Sequence, residues 1–402
     1  MITERFTLNI DQAIQMWHDT ANLRLKRHKY SRLKQLLTYL KIKRSLKKVI
    51  TLISENYLGD PSPNLNRLKA EPQLRQLISL WFEMDPLAFE SALKGDFVTA
   101  TEDFIHRVKT KWPQMPHEEI FQALRNVWIM VAIQMMAGRE IMLTDAMFAY
   151  SMLYPLTDNL LDDANLSREE KGAFCNRLGG WLRGIPEKVN TEREQDIYEM
   201  IQLIEGQFAR SKFPEVYESL LLIHEAQVKS LSPQQAPLND TEMLRITFEK
   251  GASSVIADGY LVMGNLTDEA FTFLTLYGIV LQLADDLQDQ SEDATVNHQT
   301  LFSRSSNFET SEQLTTRLIH FSKAALIKIF APNEALKHHL TKLLEKSMDF
   351  LISDAIHTHR DTYSSHYYRV ISSGLKTGLR YHERLKTICR VQTAHWAEKW
   401  HS

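Results

Sequence analysis

Leu33, Leu36, Leu37 and Leu40, followed by Leu46, Val49, Ile50 and Ile53, recur at the i, i+3, i+4, i+7 spacing of an amphipathic helix. The spacing predicts one apolar and one cationic face. Residues 24–48 carry Arg24, Lys26, Arg27, Lys29, Arg32, Lys34, Lys41, Lys43, Arg44, Lys47 and Lys48 and no acidic residue. From Glu118 to Met152 the apolar positions Ile120, Leu124, Val127, Trp128, Val131 and Met135 keep one face and predict a buried helix. The run Gly59-Asp60-Pro61-Ser62-Pro63-Asn64-Leu65-Asn66 is turn chemistry. It predicts a boundary between a basic N-terminal helical region, 1–60, and a helical domain, 67–402. Leu231 to Asp240, with Pro233, Pro237 and Asn239, predicts a second loop, after which Asp240 or Thr241 caps a helix beginning near Glu242. No trustworthy strand alternation, internal repeat or glycine-rich phosphate loop interrupts this pattern, so the fold class expected is an all-α bundle.

Composition agrees with helices. Gly 14 and Pro 12 in 402 residues lie below average usage and disfavour sandwiches and turn-rich repeats. A hydrophobic share of 44% supplies a sizeable core. A net charge of -3 gives no global field that recruits nucleic acid, so no nucleic-acid partner is expected. Cys175 and Cys389 make neither a disulfide scaffold nor a thiolate metal site, and a reduced cytoplasmic compartment is the expectation. Glu4, Arg5 and Asp11 interrupt the first residues where a secretory signal needs an apolar run. The apolar stretch Val127 to Ala137 is too short to span a bilayer, so no crossing segment is expected. Basic helix faces are most often solvated. The alternative for residues 24–48 is peripheral contact with an anionic membrane, at the inner face for a cytoplasmic protein.

Two acidic constellations lie within apolar helical patterns, where a carboxylate is costly unless paired or metal-bound. In Tyr154-Pro155-Leu156-Thr157-Asp158-Asn159-Leu160-Leu161-Asp162-Asp163, the spacing places Asp158 and Asp162 on one helix face, with Asp163 adjacent. Pro155 is expected to kink this helix or to mark its first turn. In the second, Gln282, Asp285, Asp286 and Asp289 interrupt a helix whose other side is Leu276, Ile279, Val280, Leu283 and Leu287. Hard oxygen donors at such spacing suit Mg2+ shared with substrate phosphates. Two aspartate-only clusters on separate helices can hold three divalent ions around one diphosphate. Between them, Lys250, Ser254 and Asp258 share a face beside Gly251, Ala252 and Ser253, small residues that let a ligand or a neighbouring helix approach. Arg380 offers a fork that matches phosphate oxygens. His357, His359 and His366 lack a partner cluster and are expected on a polar face rather than on a metal.

The stretch Gly278-x-x-Leu281-Gln282-x-x-Asp285-Asp286-x-x-Asp289 is similar to the second aspartate-rich motif of trans-prenyltransferases, with leucine in place of phenylalanine. With Asp158-x-x-x-Asp162-Asp163 and the Lys250 segment in the same order, residues 115–390 resemble the class I isoprenoid synthases. Chain-elongating members follow the first motif with a paired arginine. Ala164 to Lys171 supplies none, so the isopentenyl diphosphate site is expected to be absent. Microbial terpene cyclases carry an Asn/Ser/Glu second motif, which Asp285, Asp286 and Asp289 do not match. The combination is most similar to the bacterial large-terpene (tetraprenyl-β-curcumene) synthases.

That resemblance implies an isoprenoid-synthase-like bundle around a central apolar cavity and a terpene synthase that ionises an allylic prenyl diphosphate. Mg2+ would be bound by Asp158, Asp162, Asp163, Asp285, Asp286 and Asp289. Asp158, Asp162, Asp285 and Asp289 would be catalytic, and Lys250, Gln282 and Arg380 would hold the diphosphate. Tyr154, Phe248, Ser254, Tyr260 and Tyr277 are the candidates for lining the cavity. Prenyltransfer and non-catalytic prenyl-lipid binding are the competing readings.

Overall fold

The computed structural model describes residues 2–21, 23–25, 29–57, 76, 79–80, 96–161, 163, 165–231, 239–296, 298–304, 308–381, 383–385 and 387–388. Among the described residues every regular element is helical, as the sequence pattern requires. In chain order these are α1 (Ile2–Asp19), α2 (Arg32–Tyr57), α3 (Asp96–Lys111), α4 (His117–Met136), α5 (Asp145–Leu161), α6 (Arg168–Leu182) and α7 (Glu192–Gln207). They continue with α8 (Pro214–Leu231), α9 (Asp240–Met263), α10 (Asp268–Gln288), α11 (Gln290–Thr295), α12 (Phe308–Leu326), α13 (Glu334–Thr358), a 3-10 turn at Arg360–Thr362 and α14 (Ser365–Gly374). The chain divides into two compact units. The first is Met1–Asp19, Ala92–Leu283 and Ala324–His338; the second is Thr20–Ser91, Ala284–Lys323 and His339–Ser402. The N-terminal residues therefore fall in both units, and the turn run 59–66 lies outside the described residues.

In the first unit, α1 buries Ile2, Phe6, Ile10, Ala13 and Trp17, and the Trp17 ring meets Phe248 of α9 edge-on at 6.1 Å. The periodic stretch from Glu118 to Met152 is two helices, not one. Gly138 adopts φ 64°, a left-handed conformation that suits glycine, and turns the chain after α4. Arg139 then fixes the turn by donating to the carbonyls of Val262 and Met263 at 2.9 and 3.0 Å. Trp128, expected on the buried face, is exposed and donates to Thr101 at 3.1 Å. The cap of α9 is Asn239, one residue ahead of Asp240, in a reciprocal capping box with Glu242. Between α6 and α7, the buried carboxylate of Glu194 accepts from Arg177 Nε at 3.2 Å and Nη2 at 2.5 Å and from the Asn190 amide at 3.0 Å.

Helices α9 and α10 approach backbone to backbone. A methyl group at Gly251 would lie 2.5 Å from the Gly278 carbonyl oxygen and 2.6 Å from Cβ of Gln282; one at Gly278 would collide with the Gly251 carbonyl. The residues between Leu266 and Gly278 bury Phe271, Phe273, Leu274 and Leu276. By length and composition α10 could cross a membrane, unlike the shorter stretch 127–137, but 78% of its most apolar window is buried. It is a core helix.

The second unit contains α2, and here the pattern and the packing disagree. Leu33, Leu36, Leu37 and Leu40 are 66%, 36%, 50% and 47% exposed, whereas Gln35, Tyr39, Ile42, Ser45 and Leu46 are buried. The side chains of Val49, Ile50 and Ile53 lie outside the described ones. Polar and aromatic contacts choose the face. The Gln35 amide donates to the carbonyls of Ser372 and Leu375 at 2.7 and 2.9 Å, meeting the open end of α14. Tyr39 stacks on Tyr381 at 4.5 Å.

The glycine contact makes a stability prediction. Gly278→Val is expected to destabilise the protein by more than the ~1–3 kcal/mol of ordinary overpacking, because the obstacle is backbone. Gly206→Ala, with open space around the new methyl, is expected to gain about 0.5–1 kcal/mol from helix propensity. Urea midpoints measure both, and equal effects would show that the α9–α10 contact is not tight.

Candidate functional site

The first carboxylate cluster stands at the C-terminal end of α5. Pro155 is inside this helix, where its missing N–H leaves the helical ladder incomplete. Asp158 is half-buried on the last turn. Asp162 lies outside the described residues, and the helix ends at Leu161, so the shared face expected for Asp158 and Asp162 is not described. Asp163 is beyond the helix. Its carboxylate accepts from the Asn165 amide at 2.9 Å and pairs with Arg193 at 2.8 Å, and these hydrogen bonds hold it below the usual carboxylate range.

The second cluster ends α10. The Asp289 amide donates to the Asp285 carbonyl at 2.9 Å, carrying the helical pattern one residue past Gln288. Gly278, Gln282, Asp285 and Asp289 thus follow one stripe, three to four residues apart. Asp285 and Asp289 are exposed, while Asp286 on the neighbouring stripe is buried at 6%. Two water-accessible carboxylates on one stripe fit a hard divalent cation that completes its shell with water and phosphate oxygens. Among the described residues no group of three or more His, Cys, Asp or Glu side chains is arranged to hold a metal by itself.

His359, expected only on a polar face, secures the end of this motif. Its Nε2 lies 2.7 Å from the Gln288 carbonyl and its Nδ1 2.9 Å from the Ser291 hydroxyl. A carbonyl only accepts, so the network assigns the proton to Nε2 and makes Nδ1 the acceptor from Ser291. His357 pairs with the Tyr368 hydroxyl at 2.8 Å, and His366 is exposed. Arg380 is exposed over the Tyr381 ring, 4.5 Å from its centroid.

On α9, Lys250 and Ser254 are half-buried, and Gly251 seats this segment against Gly278 and Gln282. The Lys250 segment and the start of the second motif are therefore brought together. The aromatic candidates are dispersed. Tyr154 is 42% exposed; Phe248 is in the core against Trp17; Tyr277 stacks on Phe273 at 5.6 Å; Tyr260 is fully buried, its phenol pushed up to about 12 by burial. A cavity of about 570 Å³ opens elsewhere, among His106, Arg107 and Lys111 of α3, Phe148 of α5, and Glu199 and Leu203 of α7. Its cations are already paired, Arg107 with Asp145 at 2.9 Å and Lys111 with Glu199 at 2.5 Å.

Asp258 is buried on the far end of the Lys250 face. It is fully enclosed, and neither carboxylate oxygen meets a hydrogen-bond partner. Burial drives its pKa well above the usual carboxylate range, which Asn126, near but outside hydrogen-bonding geometry, opposes only in part. Burial, then the Asp258 charge, also raises the Tyr150 phenol, whose hydroxyl donates to the Ser254 carbonyl at 3.4 Å.

Comparison of the chain with protein-family models, with curated proteins and with solved structures returned no match.

Asp258 gives a pH signature. The native state retains a proton that the unfolded chain releases above about pH 4, so this group makes stability fall as pH rises from there through its raised native pKa. Asp258→Asn is expected to remove that slope. Urea midpoints of variant and parent would converge near pH 4 and separate in the variant's favour at neutral pH; parallel curves would mean that Asp258 is not the proton-holding group.

Proposed function

We propose that the chain is a Mg2+-dependent class I terpene synthase that ionises an allylic prenyl diphosphate and releases diphosphate with a linear or cyclic terpene. The observation that carries this reading is the stripe Gly278, Gln282, Asp285 and Asp289, whose first residue is seated against Gly251 beside Lys250. Carboxylates at the C-terminal end of a helix run against its dipole, an opposition that a bound cation would offset.

In this reading Asp285 and Asp289 would hold Mg2+, as would Asp158 and Asp162, with the buried Asp286 orienting its neighbours. When bound, Mg2+ offsets the negative charge that develops on the departing diphosphate. Lys250 contributes a point charge to the same oxygens, and Gln282 donates an amide hydrogen bond. Both act most strongly where C–O cleavage concentrates charge, so they lower the barrier rather than merely tighten binding. Arg193 already occupies Asp163, which is assigned to ordering the turn after α5 rather than to an ion. The exposed Arg380 reaches a diphosphate only by leaving its stacked position on Tyr381.

The test is incubation of the purified full chain with Mg2+ and, one at a time, geranyl to heptaprenyl diphosphate without isopentenyl diphosphate. Diphosphate release and organic-phase products are the readouts. Mg2+-dependent release of a hydrocarbon or alcohol is expected, with Asp285→Ala and Asp289→Ala each lowering turnover by about 100-fold or more. Turnover that requires a second prenyl diphosphate would replace this reading by prenyltransfer. Silence with every combination would leave lipid binding as the function of the fold.

A further inference from the structure

We propose that the outer face of α2 is a docking surface for an anionic lipid membrane. Leu33, Leu36, Leu37 and Leu40 form a stripe on that face, each between 36% and 66% exposed, and Leu23, just ahead of the helix, is 49% exposed. These leucines are not spare core. The opposite face of the same helix is filled by buried Gln35, Tyr39, Ile42, Ser45 and Leu46, of which Tyr39, Ile42 and Leu46 pack with Tyr381 and Leu385.

The helical period sets cations along both borders of the stripe. Arg32 and Lys43 lie on one side, and Lys34 and Lys41 on the other; Arg44, Lys47 and Lys48 extend the same face toward the C-terminus. An aliphatic stripe bordered by cations, with no acid from 24 to 48, matches the two layers of an anionic bilayer surface. Leucines enter the acyl boundary while lysines remain among the headgroups, and long lysine stems allow that separation. From Leu33 to Lys48 this face runs about 24 Å, parallel to the bilayer plane.

Charge and composition favour this occupant over others. A second copy docking through the same face would bring cationic borders together, which like-charge repulsion opposes. Protein interfaces concentrate aromatic anchors at their centre, and this stripe has none. The inference does not rest on the catalytic reading, because an inactive chain with this face would dock equally.

Sedimentation of the full chain with vesicles tests it. Phosphatidylcholine vesicles containing phosphatidylglycerol are expected to carry the protein down, vesicles of phosphatidylcholine alone far less, and added salt should release much of it. Two variants separate the layers: Leu36→Gln with Leu37→Gln and Leu40→Gln, and Lys41→Glu with Lys47→Glu and Lys48→Glu. Each is expected to lower vesicle affinity at least tenfold while leaving helicity and the thermal midpoint unchanged, since all six side chains face water. Failure of the parent to sediment with anionic vesicles, or unchanged binding by either variant, would overturn the proposal. So would a concentration-dependent dimer that the leucine variant dissolves, which would assign the stripe to a second copy.

Discussion

The contact between the backbones of Gly251 and Gly278 constrains the α9–α10 hairpin of the first unit. Side chains normally hold helices 8–10 Å apart. Two facing glycines remove that spacer, so α9 and α10 meet carbonyl to Cα, and the registers of both helices are fixed together. The contact recurs along the same hairpin, where Gly259 admits Leu274 and Leu266 against its Cα. With those points pinned, Lys250 stands one residue from the contact on α9 and Gln282 one turn from it on α10. The small residues of the Lys250 segment are thus accounted for by the close packing of the two helices.

Burial of α10 then decides what its polar residues can do. Everything from Phe271 to Leu283 is enclosed or nearly so, and the helix opens to water at its two ends. Of the three aspartates at the C-terminal end, the two on the Gly278 stripe are exposed and the middle one is not. Exposure keeps Asp285 and Asp289 hydrated, whereas the buried Asp286 depends on the surrounding structure for compensation. The helix end would fray without a restraint. His359 supplies one by accepting from Ser291 and donating to the Gln288 carbonyl, which otherwise has no helical donor.

Much of the fold was legible in the sequence because helical periodicity and loop chemistry are local. The acidic clusters, read as lying within apolar helical patterns, fall at or just beyond the ends of α5 and α10, and the cap of α9 lies within one residue of the expected position. What escaped the sequence is long-range or depends on a single backbone angle. Gly138 splits Glu118 to Met152 into two helices although the apolar period runs almost unbroken across it. His359 meets Gln288 across 71 residues of chain, a pairing no local spacing encodes. The dispersal of Tyr154, Phe248 and Tyr277 has the same origin: an aromatic residue in an amphipathic pattern signals burial or exposure, but not which neighbour it meets.

Helix α2 shows why hydrophobic periodicity identifies a face without saying what that face meets. Counting apolar side chains favours the leucine stripe as the packed side, because each buried leucine contributes about 1.5–3 kcal/mol. The chain instead turns inward an amide that satisfies two carbonyls, an aromatic pair at 4.5 Å and two aliphatic side chains. Each of the two hydrogen bonds adds about 0.5–1.5 kcal/mol to carbonyls that otherwise hold only long backbone bonds, so Gln35 competes with about one leucine. Once Gln35 faces inward, the 3.6-residue period leaves no choice for the other positions. Leu33, Leu36, Leu37 and Leu40 must point out, and the cations that border them follow from the same rotation of the helix.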